Sequence, residues 1–444
     1  MILRPTLALL AISATAATAT TEIVGLVSAG GGGAPPGPPP ALTTGNKITF
    51  CKLSFDEENL ASAANVTVSE STSTDAPDDS WMYDVESPTF QLSGRYWNSK
   101  LYGYTNVGNA PSSGGCCSDS FTVYSESNPS GEVVDLTSII SPLFPDAVDS
   151  YAYPTHTFDI VEQEDGSAHA YLMVQYEDAD INALADAVVV LDIDTLEVIA
   201  TADGSKYFSF LESENAGTTS TTKSDTIFRI QHYVSTDDSK EEWHGNGITA
   251  FTTTDGTPIM AITHRSLNEC VLLKDPYKLT SDEGGGKIVQ RFGRPGYYNA
   301  NGKSNVQHDF GGIGNSDSTW NGVHNAWYSV AADGTETMTI YVNSDGSDSS
   351  HVYNFDISLQ EEDSFEGAPE DTAFDTEWRS VALPWLAGSQ GGARPIGPQK
   401  EGSRVFVVGS GSATEGIYVV SEDGEMQSCG DGIGPYDSFL RFSP

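Results

Sequence analysis

Four stretches of this chain set histidine in polar, Gly- or Asn-flanked surroundings at the ends of strand-like runs. They are His156 in Pro154-Thr155-His156-Thr157-Phe158-Asp159, His244 in Trp243-His244-Gly245-Asn246-Gly247-Ile248, His264 and Arg265 in Ile262-Thr263-His264-Arg265-Ser266, and His324 in Gly322-Val323-His324-Asn325-Ala326-Trp327. A neutral imidazole is a competent nucleophile near neutral pH, and a guanidinium can hold a sulfuryl or phosphoryl oxygen through paired hydrogen bonds. Such a set suits transfer of an anionic group. The competing reading of each histidine taken alone is a loop residue capping a turn. Gln307-His308-Asp309-Phe310 supplies a rival nucleophile, although Gly311-Gly312-Ile313-Gly314 after it reads as a loop.

Residues this far apart in sequence act together only if the fold gathers them. From about residue 150 onward, β-branched or aromatic runs of five to eight residues alternate with tight-turn dipeptides, Asp-Gly recurring at 165/166, 203/204, 255/256, 333/334, 345/346 and 423/424. Ala187 to Ala200 reads as strand, polar turn and strand, and Val405 to Val420 repeats the theme. Amphipathic helices of ten or more residues are absent from the pattern. About 300 residues of hairpins, at ~40 to 55 residues per four strands, predict an all-β, six-bladed β-propeller, in which strand ends from different blades converge on a central channel. A pair of β-sandwiches is the structural alternative.

The histidine motifs and their spacing resemble the arylsulfotransferase family over roughly residues 150 to 441. The matching segments are His244-Gly245-Asn246-Gly247-Ile248, then Ile262-Thr263-His264-Arg265-Ser266, then Ile288-Val289-Gln290-Arg291-Phe292-Gly293. His324-Asn325-Ala326 follows, running through Asp333-Gly334 to Asn343-Ser344-Asp345-Gly346, and Gly391-Gly392-Ala393-Arg394 opens a closing blade. The resemblance implies a six-bladed propeller that moves a sulfuryl group from an aryl sulfate to a phenol with no nucleotide donor, cofactor or metal. It implies His324 as the nucleophile that becomes a transient sulfohistidine, with His156, His244 and Arg265 around the sulfuryl oxygens or serving as acid and base. Asn246 and Arg394 fall in substrate-binding positions. The sequence departs from the family pattern at the arginine, which is displaced by about three residues and preceded by His264, and the bacterial enzymes' N-terminal β domain is not recognisable in residues 46 to 149.

Other readings of the residues stand beside this one. A non-catalytic extracellular propeller that binds glycan or protein would keep the histidines without the chemistry, and a hydrolase or lyase would use them to hold a metal. Asn343 to Asp348 offers calcium-type oxygens but lacks the twelve-residue EF-hand loop, and reads as an Asp-rich turn. Trp243, Trp320, Trp327, Tyr297 and Tyr298 suit either an aryl pocket or the blade core.

Composition bounds the rest. Residues 1–19 run from Arg4 through apolar Leu7 to Ile12 into Ala14 to Ala19, the order of a secretory signal peptide. Residues 20–45, Gly- and Pro-rich over 29 to 40, read as a linker, residues 46–149 as an N-terminal β-rich region of early blades or a cap, and 150–444 as the propeller. The chain contains 62 acidic and 21 basic residues for a net charge of −41, a field that excludes nucleic acid and anionic lipid surfaces as partners. No run reaches the length of a membrane-spanning helix, so a secreted protein without stable membrane insertion is expected. Cys51, Cys116, Cys117, Cys270 and Cys429 lack zinc-type spacing, so disulfides are expected in an oxidising compartment, with fifteen pairings open. Asn65-Val66-Thr67 is an N-glycosylation sequon.

Overall fold

The computed structural model describes residues 20–28, 47–57, 59–75, 80–85, 94–105, 118–145, 147–163, 165–178, 183–203, 245–264, 269–274, 287–293, 321–331, 333–344, 348–357, 359, 378–387, 391–397, 404–409, 417–429 and 440–442. The expected leader, the Gly/Pro stretch, Cys116, Cys117, His244, Arg265 and His308 lie outside the described residues.

Among the described residues the strands form six antiparallel sheets of four, the blades of a β-propeller. Blade I joins β1 (Thr20–Ser28), β2 (Lys47–Phe55) and β3 (Thr67–Glu70) to the last strand, β24 (Leu440–Phe442). Blade II holds β4 (Gly94–Trp97), β5 (Lys100–Thr105), β6 (Ser120–Ser125) and β7 (Asn128–Asp135). Blade III holds β8 (Ala147–Glu162), β9 (Ala168–Asp178), β10 (Ala183–Asp192) and β11 (Val198–Asp203). Blade IV holds β12 (Gly245–Thr252), β13 (Pro258–His264), β14 (Glu269–Lys274) and β15 (Lys287–Gly293). Blade V holds β16 (Asn321–Val330), β17 (Glu336–Ser344), β18 (His351–Asp356) and β19 (Trp378–Ala382). Blade VI holds β20 (Gly392–Pro395), β21 (Val405–Gly409), β22 (Ile417–Ser421) and β23 (Met426–Cys429). The strands β24, β4, β8, β12, β16 and β20 begin their blades, and within this set β24 packs on β4, β4 on β8, β8 on β12, β12 on β16 and β16 on β20. They line the channel.

The core is a ring of seams between blades. Trp81, Leu101 and Tyr124 fill the seam between I and II, and Tyr104, Phe121, Phe158 and Val174 that between II and III. Val190, Ile248 and Met260 join III to IV, Val323, Ile340 and Phe292 join IV to V, and Val352, Trp385 and Phe406 join V to VI. Val24, Leu53, Val405 and Val407 close VI on I. Because each blade is covered on both faces, its middle strands are continuous apolar runs, as in Ala187 to Leu191 of β10, and not alternating ones.

The six-bladed architecture expected from the hairpin spacing is the observed one, but its blades come from more of the chain. Thr20–Ser28, expected to begin a linker, is a strand: its run Ile23-Val24-Gly25-Leu26-Val27 pairs with β2 along its full length and with β24 through Ile23, Val24 and Gly25. Residues 47–135 supply two strands of blade I and all of blade II, the early-blade option, so they are part of the ring and not a cap on it. N- and C-terminal strands share blade I, and a Cys51–Cys429 disulfide ties β2 to the end of β23 with Cα atoms 6.1 Å apart. Cys270 is buried in β14.

The four Asp-Gly pairs that lie wholly within the described residues, 165/166, 255/256, 333/334 and 423/424, are turns, though not two-residue ones. Gly166, Gly256, Gly334 and Gly424 have φ of 82°, 88°, 91° and 85°, whereas their aspartates stay at negative φ. Each glycine amide bonds back three residues, as Gly334 N does to Ala331 O at 2.9 Å, so the loop is a turn followed by a left-handed glycine bulge. Each aspartate accepts the amide two residues on, Ser167, Thr257, Thr335 and Glu425 at 3.0, 3.1, 2.9 and 3.1 Å. These bonds, with neighbouring hydroxyls first among the causes for Asp165 and Asp255, hold the carboxyls of Asp165, Asp255 and Asp333 below the usual carboxylate range.

Candidate functional site

Three successive inner strands are bulged. On β8 the pairing with β9 passes from Pro154↔Val174 to Phe158↔Leu172, which leaves extra residues around His156, itself at φ 50°. On β12 Gly245 pairs with His264 and Gly247 with Thr263, so Asn246 is the extra residue. On β16 His324 pairs with Tyr341 and Ala326 with Ile340, so Asn325 is the extra residue, at φ 46°. A bulge interrupts the ladder and re-aims a side chain that the regular pleat would send elsewhere.

Hydrogen bonds between blades tie the three strands together close to their bulges. Ala250 N donates to Asp159 Oδ2 at 3.0 Å, and Thr249 Oγ1 donates to Ala326 O at 2.6 Å. Three residues back from the first pair are His156 and Gly247; two back from the second are Gly247 and His324. Asn246 beside Gly247 and His324 with Asn325 therefore form one contact layer, and the bulge at His156 lies on the neighbouring strand three residues before the Asp159 bond to Ala250. These residues are buried, at 9 %, 1 %, 2 % and 4 % exposure for His156, Asn246, His324 and Asn325. Gly247 is required here: a Cβ on it would overlap Thr263 Oγ1 and come within 3.0 Å of the Asn325 backbone.

Direct contacts join part of this set. Asn246 Nδ2 lies 2.8 Å from Val323 O and 3.1 Å from His324 Nδ1, and Thr263 Oγ1 donates to Asn246 Oδ1 at 2.9 Å. The loop end of β12 is fixed in turn by Gly245 N donating to Asp186 Oδ2 at 2.6 Å, with Gln175 Nε2 donating to Asp186 Oδ1 at 3.3 Å. Below the layer, Arg95 Nε of β4 donates to Asp159 Oδ1 at 3.0 Å, so one carboxylate links blades II, III and IV.

Of the residues expected from sequence, the structure brings together His324 and Asn246 and sets His156 in the bulge of the neighbouring strand β8. His264 ends β13 opposite Gly245, beside the Asn246 bulge. Arg394, expected to bind substrate, is 2 % exposed and ion-pairs with Glu22 at 2.8 Å, joining β20 to β1 across the ring closure. Trp327 is half-buried on β16, while Trp243, Trp320, Tyr297 and Tyr298 lie outside the described residues. Asn65 is exposed at the end of a 3-10 turn, its Oδ1 accepting from Ser62 N at 3.1 Å. Thr263 and Asn325 belong to the site and were not singled out by sequence. Asn325 carried a signal, since asparagine inside a strand-like run tolerates the left-handed conformation that a bulge needs.

Among the described residues no cluster of three or more His, Cys, Asp or Glu could hold a metal ion, and no helix is long and apolar enough to cross a membrane. No protein-family model and no curated protein matches the chain. Among solved structures it is similar to an endo-arabinase from Bacteroides thetaiotaomicron, at 10 % identity over 76 % of this chain and 92 % of that one, with a TM-score of 0.32. A GH43 β-1,3-galactosidase with galactodeoxynojirimycin gives 11 % identity, 78 % and 95 % coverage and a TM-score of 0.37. The Dos1 propeller gives 9 %, 86 % and 66 %, and 0.31. No activity is carried over from these likenesses.

Proposed function

We propose that the bulged axial layer receives an aryl sulfate and that the protein transfers its sulfuryl group to a phenol. The observation that supports this reading is the occurrence of bulges on three successive inner strands at His156, Asn246 and beside His324, with Asn246 in direct contact with His324. The motif resemblance supplies the substrate class. In the net reaction the S–O bond to the donor's aryl oxygen breaks and an S–O bond to the acceptor's oxygen forms. The acceptor's hydroxyl proton ends on the departing aryl oxygen, so neither a nucleotide nor a redox partner is consumed. Negative charge grows on that oxygen in the transition state, where fixed N–H donors in a largely dry site stabilise it. Export through the leader, and a glycan on the exposed Asn65, fit a chain that holds the Cys51–Cys429 disulfide.

The test is release of 4-nitrophenol from 4-nitrophenyl sulfate that depends on added phenol, using the full oxidised chain. His156→Ala and His324→Ala should each lower turnover by about 10²-fold or more. Absence of transfer from any of several aryl sulfates would overturn the reading. That Asn246 is already bonded to Val323 O, Thr263 and His324 in a buried setting also suits a second reading, a propeller that binds an extracellular glycan or protein without chemistry. Saturable glycan binding by a protein with no transferase activity would select it.

A further inference from the structure

We infer that Asn246 fixes the tautomer of His324, so that this histidine meets the sulfuryl group as an Nε2–H hydrogen-bond donor and not as its covalent carrier. The inference rests on reading the axial layer as the sulfuryl site. Val323 O can only accept, so the Asn246 atom 2.8 Å away is the NH2 nitrogen. The carboxamide oxygen then faces the Thr263 hydroxyl, at 2.9 Å, which donates to it. One N–H of Asn246 is engaged by Val323, and the other points at His324 Nδ1, 3.1 Å away. Nδ1 is therefore the lone-pair nitrogen and the ring proton of the neutral imidazole sits on Nε2.

Attack on sulfur by Nε2 would need the opposite tautomer, with a proton on Nδ1 directed at an Asn246 N–H. Turning the carboxamide over would relieve that clash only by placing its oxygen against Val323 O, two acceptors face to face. Asn246, Thr263 and His324 are 1 %, 0 % and 2 % exposed, so solvent does not take over a lost partner. Leaving such a buried group unmatched biases the tautomer by about 5- to 150-fold. Asn246 is thus a positioning residue, and the Nε2 of the tautomer it selects offers a proton and not a lone pair, so it would stabilise charge on a sulfuryl or departing aryl oxygen without accepting the group. If a histidine carries the sulfuryl group, it is another one.

Two measurements decide this. In the full chain with 13C,15N-labelled histidine, the His324 ring, assigned by its loss in His324→Gln, should show the Nε2–H signature. In Asn246→Asp, whose carboxylate accepts from Nδ1–H, the signature should invert; an Nδ1–H ring in the unmodified protein overturns the inference whether or not the protein is a transferase. In titrations with 4-nitrophenyl sulfate, His324→Ala should weaken binding more than tenfold and His324→Gln, whose amide offers an N–H near the same place, by less than about fivefold. Equal losses in the two variants, or a sulfuryl group trapped on His324, would also overturn it. Failure of the unmodified protein to bind or turn over aryl sulfates, with the Nε2–H ring intact, would instead reject the sulfuryl reading.

Discussion

The disulfide between Cys51 and Cys429 sits where the ring closes, and removing it should cost a large share of the molecule's stability. Its cysteines are 378 residues apart, so in the unfolded chain it closes almost the whole polypeptide into one loop. Chain-entropy arithmetic for a loop of this size gives roughly 6 kcal/mol as an upper value, while losses of about 2–5 kcal/mol are typical when native disulfides are removed. Against a total of about 5–15 kcal/mol for a folded domain, either figure is substantial. Among the described residues the folded seam has little else of a covalent or long-ladder kind, since β24 meets β1 through three residue pairs and the rest is the Arg394–Glu22 ion pair, isolated hydrogen bonds such as Ala63 N to Ser421 Oγ, and the apolar cluster of Val24, Leu53, Ile396, Val405 and Val407. The assay is urea unfolding of the oxidised protein, the same protein under reductant, and the Cys51→Ala/Cys429→Ala variant. Both perturbations should lower the unfolding free energy by at least about 2 kcal/mol and, by letting the unfolded chain expand, raise the denaturant slope. Reductant should leave the double variant unchanged. Equal stability of the variant and the oxidised protein, or a reductant effect of the same size in the variant, would refute the assignment and move the stabilising bond to Cys116 or Cys117.

The Arg95–Asp159 pair should behave as a buried latch: Asp159→Ala strands a guanidinium of a residue only 7 % exposed and should cost about 3–5 kcal/mol in urea unfolding, whereas Arg95→Met/Asp159→Leu should cost distinctly less. A double variant no better than the single one would contradict that account. The turn carboxylates predict acid sensitivity. The Lys52 ammonium at 2.7 Å and the Thr72 amide lower Asp75 to about 2, and Asp165, Asp255 and Asp333 are lowered by their own turns. In such groups the unfolded chain binds protons first as pH falls, so their stabilisation is complete above the usual carboxylate value and disappears as pH drops through the folded value. Because self-repulsion at a net charge of −41 also changes with pH, the measurement is the difference in urea midpoint between the unmodified protein and Asp165→Asn/Asp255→Asn/Asp333→Asn. That difference should shrink as the pH is taken from about 5 to 2, and a constant difference would refute it.

Much of the fold was legible where its cause is local. Val-Val-Val in β10 and Phe-Val-Val in β21 are strand-formers buried on both faces, and the recurring Asp-Gly marks their turns, although the left-handed glycine of a bulged turn and a two-residue hairpin share the same dipeptide. Pairings made by the ends of the chain were not legible. Gly25↔Leu440 and Cys51–Cys429 join residues hundreds of positions apart, and nothing in Thr20–Ser28, lying beside a Gly/Pro-rich stretch, names its partner. In the site, His324 and Asn246 were found as residue types, but their contact depends on the one-residue bulges at Asn246 and Asn325. The partner of Arg394 was not legible either, because Glu22 lies in β1, a strand not expected from the sequence.

The same bonds that hold the blades together set the geometry of the candidate site. Asp159 gathers Arg95 and Ala250 N, and Thr249 reaches Ala326 O, within two to three residues of the three bulges. In a propeller the inner strands run alongside one another without a ladder between them, so such contacts are what fixes their relative height. A shift of one residue between β12 and β16 would carry Asn246 away from both Val323 O and His324 Nδ1, and the Nε2–H tautomer would lose its support. Stability of the seams and the protonation pattern of His324 are thus coupled through register. A latch variant that stays folded but lets β8 slip against β12 should move His156 relative to Asn246 while leaving the Asn246–His324 bond intact, because Thr249 and Ala326 hold that pair independently.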